Sequence, residues 1–130
     1  MTARILLVDD EPDAQDLFKQ NFRREIRKGI YYFDYAQSAS AALELLGSRT
    51  SQDVILVLSD INMPGMTGVE LLEIVKQQWP DIPVFMITAY GDQATERTVR
   101  NKGAERFFSK PVDFAKLKQE LTTFAAGATR

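Results

Sequence analysis

The chain contains no cysteine and no histidine. The first absence excludes disulfides, thiolate nucleophiles and thiolate metal sites. The second excludes a histidine general base, an imidazole zinc ligand and a Ser-His-Asp triad, so any imidazole chemistry must come from a partner. A basic surplus is also lacking: the net charge is −2 and the isoelectric point about 5.2. That argues against direct nucleic-acid binding, because a phosphate backbone calls for excess cations. The apolar run that follows Met1-Thr2-Ala3-Arg4 has only four residues, Ile5 to Val8. It is too short for a signal peptide or a membrane span, which sets the expectation of a cytoplasmic protein with no membrane partner. Low-complexity tracts, internal repeats and linkers are missing too.

What is present fits one domain. A length of 130 residues, 45% apolar and 26% charged, supports a core of ordinary size. Two patterns alternate along it. Short runs rich in branched residues predict strands at Arg4 to Val8, Tyr31 to Ala36, Val54 to Ser59, Val84 to Thr88 and Arg106 to Ser109. The continuously apolar Ile5-Leu6-Leu7-Val8 and Val54 to Leu58 are typical of parallel strands buried on both faces. Apolar spacings of three and four predict helices between them. The first spans about Pro12 to Arg27, with Phe18, Phe22 and Ile26 on one face. The second, Ala39 to Leu46, is expected to stop at Gly47 in a left-handed turn. The third opens on a Thr67-to-Glu70 capping box and buries Leu71, Leu72, Val75 and Trp79, with Pro80 just beyond. The fourth, about Gln93 to Lys102, is nearly all polar. The fifth starts at an Asp113 cap and carries Phe114, Leu117, Leu121 and Phe124. The expectation is an α/β fold, a (βα)5 unit with a parallel sheet covered by helices on both faces, filling residues 1–125; residues 126–130 are expected to form a frayed tail.

Ligands of open parallel sheets gather at the carboxyl ends of the strands. There the sequence places Asp9-Asp10-Glu11 after the first strand, Asp60 after the third, Thr88 at the end of the fourth and Lys110-Pro111 after the fifth. Asp9, Asp10 and Asp60 close together repel one another, and a hard divalent cation with oxygen ligands relieves this; Mg²⁺ suits one or two carboxylates, waters and a phosphate. The plainer reading of Asp9 and Asp10 is a cap on the first helix, whose first turn holds Pro12. Lys110 offers an ammonium and Thr88 a hydroxyl for phosphoryl oxygens. Alone, each reads as a surface lysine and a strand threonine; together they describe a site for a phosphorylated carboxylate. Arg23, Arg24, Arg27 and Lys28 read first as a solvated face, and second as a docking surface for an acidic partner.

These residues carry a family resemblance. Leu6-Leu7-Val8-Asp9-Asp10-Glu11-Pro12, Ser59-Asp60-Ile61-Asn62-Met63-Pro64-Gly65-Met66-Thr67-Gly68, Thr88-Ala89 and Phe107-Phe108-Ser109-Lys110-Pro111 occur in that order. Over about residues 3 to 125 the chain resembles the receiver domain of two-component response regulators. The resemblance implies a flavodoxin-like doubly wound sheet with strand order 2-1-3-4-5. It implies Asp60 as phosphoacceptor and Asp10, Asp60 and the Asn62 backbone carbonyl as Mg²⁺ ligands, with Asp9 acting through water. Thr88 and Lys110 would contact phosphoryl oxygens, and the Lys110-Pro111 bond would be cis. Phe107 stands at the switch-aromatic position, where tyrosine is more frequent. Tyr90, two residues after Thr88, is bulky and is expected to shield a phosphoaspartate from water and prolong its life.

The partners implied are a sensor histidine kinase or a histidine phosphotransfer protein, and an unknown downstream effector. The fourth helix, fifth strand and fifth helix are the expected readout face. The domain takes up the chain, which leaves a stand-alone receiver or a piece of a longer regulator equally open. Two other functions compete. A haloacid-dehalogenase-like phosphohydrolase would carry an Asp-x-Asp-x-Thr-like motif after its first strand, where this chain reads Asp9-Asp10-Glu11-Pro12-Asp13. A pseudo-receiver that only binds partners typically loses an acid or the lysine, and none is lost here. Gly65 and Gly68 are not followed by the Gly-Lys-Ser/Thr of a nucleotide-binding loop.

Overall fold

A computed structural model describes residues 3–48, 54–89 and 91–128. Five strands, β1 (Ala3–Val8), β2 (Tyr31–Ala36), β3 (Val54–Asp60), β4 (Val84–Thr88) and β5 (Arg106–Ser109), form one parallel sheet in the order β2-β1-β3-β4-β5. The helices between them are α1 (Pro12–Asn21), α2 (Arg23–Arg27), α3 (Ala39–Leu46), α4 (Gly68–Gln78), α5 (Gln93–Asn101) and α6 (Phe114–Ala128). Successive strand residues alternate between faces, and both faces are apolar. Leu6, Val8 and Val57 join Ala42 and Leu46 of α3, Leu71, Leu72 and Val75 of α4 and Val99 of α5 in one core. Ile5, Leu7, Leu56, Leu58 and Phe85 join Phe18 of α1, Phe22 between α1 and α2, and Leu117 and Leu121 of α6 in the other. Each fully buried side chain of this size contributes about 1.5–3 kcal/mol, against about 0–1 kcal/mol for an exposed ion pair. The two apolar layers, rather than surface charges, therefore hold the strand ends in register.

Several expectations are corrected. The helix predicted as one piece over Pro12 to Arg27 is two, because Phe22 leaves helical geometry at φ −106°, ψ 15°. Its ring is wholly buried, 4.9 Å from Phe33 and 5.9 Å from Phe18 between ring centres. Seating that ring turns the next residues outward, and Ile26, expected on the buried face, is 37% exposed. Gly47 does not take a left-handed turn: its φ is −80° and the helix closes right-handed, with the Ser48 N–H and hydroxyl both donating to the Leu45 carbonyl. Trp79 is half-buried rather than core. It precedes Pro80, which disfavours helical geometry at that position, and its φ −132°, ψ 66° ends α4.

Other details follow the sequence. The Thr67–Glu70 capping box is present on both sides, and Asp113 caps α6 by accepting from the Lys116 N–H at 3.2 Å. Helix α6 runs to Ala128, so the boundary placed at residue 125 falls inside it. Among the described residues no helix is long and apolar enough to cross a membrane.

Candidate functional site

Strand register decides which side chains meet. Val8 pairs with Ser59, Asp60 with Ile87, and Thr88 with Ser109. Asp9 and Asp60 therefore stand level, Thr88 lies one residue further along its strand, and Lys110 follows the end of β5. All four emerge at the carboxyl edge of the sheet, where the turns into α1, α4, α5 and α6 begin. Asp9 and Asp60 are only 6% and 5% exposed, and Thr88 is fully buried. Asp10 is half-buried beside them.

One carboxylate oxygen from each of Asp9, Asp10 and Asp60 lies within 4.8 Å of the others. The Lys110 ammonium reaches the same point, 3.2 Å from Asp9 Oδ2 and 3.4 Å from Asp60 Oδ2. Three carboxylates thus face one ammonium, and negative charge is in excess. Burial pushes the Asp60 carboxyl above its ordinary range; Lys110 pulls it down, Asp9 pushes it up again, and the balance stays raised. Burial alone would depress the Lys110 ammonium, but Asp9 and Asp60 outweigh it and hold its pKa above the usual lysine value. A hard cation with oxygen ligands suits the remaining charge. The donor set fits: two of the oxygens belong to buried carboxylates with little water to solvate them.

Asp9 and Asp10 do not cap α1. The N-cap residue is Glu11, which makes no side-chain cap bond, and Asp9 Oδ1 accepts from the Glu11 N–H at 2.9 Å. That tight local bond leaves Oδ2 aimed at Lys110. The segment after Asp60 is held just as closely. Ile61 and Met63 are buried anchors on either side of exposed Asn62. The Asn62 N–H donates to the Asp60 carboxylate, and its side-chain Nδ2 lies 3.5 Å from Thr88 Oγ1. The Lys110-Pro111 peptide is cis, and the Lys110 N–H donates to the Thr88 carbonyl at 2.8 Å. Phe107 is half-buried against the core on the α3–α5 side. Tyr90 lies outside the described residues.

Three contributors were not singled out as site residues by the sequence. Ser59, fully buried, donates its hydroxyl to the Asp60 carbonyl at 2.9 Å. Gly68 donates its N–H to the Ile61 carbonyl at 2.8 Å, and a Cβ there would stand 2.0 Å from the Asp60 carbonyl oxygen. A glycine opening a helix is a poor helix former, and that local cost was the available signal of a close approach. Gly91 is similar: a Cβ would come within 2.1 Å of Ser109 Oγ and 3.5 Å of Phe107 Cε1. The turn after β4 therefore lies directly against β5.

Comparison with known proteins agrees with this geometry. The sequence model of the family described as the response regulator receiver domain matches residues 5–122. The response regulator protein PilR of Pseudomonas aeruginosa is 37% identical over 92% of this chain and 25% of its own length. Sporulation initiation phosphotransferase F of Bacillus subtilis is 31% identical over 95% of this chain and 94% of its own length. Among solved structures, the signal receiver domain of an HD domain-containing protein from Pseudomonas fluorescens superposes with a TM-score of 0.85 at 30% identity, covering 98% of this chain and 97% of that one. The chain spans about a quarter of the length of PilR and of the FleR regulator, also from Pseudomonas aeruginosa.

Proposed function

The chain belongs to the response regulator receiver domain family, and from that premise we propose that it accepts a phosphoryl group on Asp60 from the phosphohistidine of a partner. It is a signalling domain, and the chemistry assigned here is confined to its own Asp60. With no histidine in these 130 residues, the donor imidazole lies outside them, on a histidine kinase or phosphotransfer unit. An Asp60 carboxylate oxygen attacks phosphorus, the P–N bond breaks, and the imidazole leaves with the bonding pair and takes up a proton. An acyl phosphate remains on Asp60. Hydrolysis by water later returns the carboxylate and inorganic phosphate.

The observation that best supports this is the Lys110 ammonium shared between Asp9 and Asp60 at 3.2 and 3.4 Å. It holds Asp60 in place before transfer and is within reach of the negative charge that a phosphoryl group would bring. Mg²⁺ is the proposed cofactor, held by Asp10, Asp60 and the Asn62 backbone carbonyl, with Asp9 acting through water; when bound it supplies positive charge for the phosphoryl oxygens. The Thr88 hydroxyl is the proposed donor to a phosphoryl oxygen. Its contact with Asn62 is long, 3.5 Å, and a hydrogen bond of that length is weak.

Readout is assigned to α5, β5 and α6. Helix α5 buries Val99 alone, so its position is held by little apolar contact and costs little to change. Movement of Thr88 toward the phosphoryl group, with Phe107 following, would carry the change there; the close packing of Gly91 on Ser109 and near Phe107 gives that coupling a path. Proteins of this kind act in the cytoplasm, and that location is part of the proposal.

The test is intact-mass measurement after incubation with acetyl phosphate. One phosphate adduct is expected in the presence of Mg²⁺, and none in Asp60→Asn. An adduct on Asp60→Asn of equal yield would overturn the assignment.

A further inference from the structure

At the end of the domain away from Asp60, the chain between α1 and β2 forms a second distinctive surface. Helix α2 precedes the start of β2 and so lies by the amino-terminal ends of the parallel strands. Between it and α6 is an open groove of about 780 Å³, whose charged lining is Arg23, Arg24, Glu25, Arg27, Lys28 and Lys118. Five of its lining residues are cationic and one is anionic, in a chain whose net charge is −2. The one carboxylate is already committed, since Glu25 Oε2 pairs with Lys118 at 2.9 Å. Arg23, Arg27 and Lys28 have no ion-pair partner among the described residues, and Arg24 has only a longer-range attraction to Glu25.

A second observation falls on the same stretch. The large apolar side chains exposed among the described residues are Leu17, Ile26, Ile30 and Tyr32. All belong to the segment from α1 to the edge strand β2. Ile26 and Ile30 alternate with the basic residues on the short stretch that the break at Phe22 turns outward. Cations interleaved with exposed branched side chains match an acidic segment that also carries apolar anchors. Nucleic acid is the poorer fit, because the chain is acidic overall.

We propose that this groove is a docking surface for an acidic, amphipathic protein segment, separate from the Asp60 site and meeting the α5–β5–α6 elements only at Lys118 of α6. An input or output partner seated there could stay bound through the phosphorylation cycle, because none of its contacts touches Asp9, Asp60, Thr88 or Lys110.

The test titrates a short synthetic helix rich in Glu and Leu into isotope-labelled full chain, read by amide chemical shifts. Duplex DNA and vesicles of phosphatidylcholine with phosphatidylserine are the comparison probes. Shifts are expected at residues 23–30 and 118, weakening at high salt. Affinity should fall roughly tenfold in Arg23→Glu/Arg27→Glu and again in Arg27→Glu/Lys28→Glu. Phosphorylation by acetyl phosphate should be unchanged in both, which separates failure here from failure of the Asp60 assignment. Shifts centred elsewhere, equal affinity in the charge-reversed chains, or tighter binding of the DNA or the vesicles than of the peptide overturn the proposal.

Discussion

The Lys110 ammonium lies 3.4 Å from Asp60 Oδ2 although 50 residues separate them in sequence. Lys110→Met removes the one cation that faces Asp9 and Asp60 among the described residues and leaves the buried carboxylates opposed. Loss of a charged hydrogen bond of this kind costs about 1.5–3 kcal/mol. Phosphorylation by acetyl phosphate should slow by about 10- to 100-fold, followed by intact mass against time. An unchanged rate would show that the ammonium is not used in transfer.

The raised pKa of Asp60 gives a pH prediction. Its ordinary value is 3.8 and the folded value is higher, through burial first and the Asp9 charge next, despite Lys110. The folded state therefore binds this proton more tightly than the unfolded state, and ionised Asp60 opposes folding above the folded pKa. Without Mg²⁺, Asp60→Asn should melt at a higher temperature than the wild type at neutral pH. The gap should close as pH falls toward 3.8. Mg²⁺ should raise the wild-type melting temperature and have much less effect on Asp60→Asn. Thermal melts across pH, with and without the metal, check all three.

Glu25 behaves in the opposite sense. Burial works to raise its pKa, but the hydrogen bond and charge of Lys118 outweigh it and the value lies below the ordinary 4.5. The stability it contributes is present above 4.5 and is lost as pH falls through the depressed folded value. Glu25→Gln should lower stability at neutral pH and flatten the acid side of the stability profile, as measured by urea unfolding at a series of pH values.

Gly68 tests how the site is held. A Cβ at this position meets backbone, 2.0 Å from the Asp60 carbonyl oxygen and 2.8 Å from Ile61 Cα, and cannot be relieved by rotating a side chain. Gly68→Ala should cost about 2–3 kcal/mol of stability and slow phosphorylation as well, since the strand end that carries Asp60 must shift. An alanine variant of wild-type stability would contradict the close approach.

Much of this was legible in the sequence because it rests on short-range pattern. Continuous apolar runs marked the central strands, Thr67 and Glu70 marked the start of α4, and the order of the acidic and Lys-Pro segments marked the rim. What was not legible depends on distant packing. The break at Phe22 comes from a ring seated among Phe18, Phe33 and Phe114, the last of which lies far along the chain. Gly47 carries no mark that distinguishes it from Gly29, Gly65 or Gly103, which do take positive φ. Trp79 was the opposite case: Pro80 beside it already signalled that the helix ends there, and apolar spacing was given too much weight. The contact of Asn62 with Thr88 joins the ends of two neighbouring strands, β3 and β4, and has no local signature.

The most direct measurement locates the phosphoryl group chemically. After incubation with acetyl phosphate and Mg²⁺, borohydride reduction of the acyl phosphate and peptide mass mapping should place homoserine at position 60 and leave positions 9 and 10 as aspartate. Homoserine at position 9 or 10, or an acid-stable phosphoester on Ser59 or Thr88, would contradict the account.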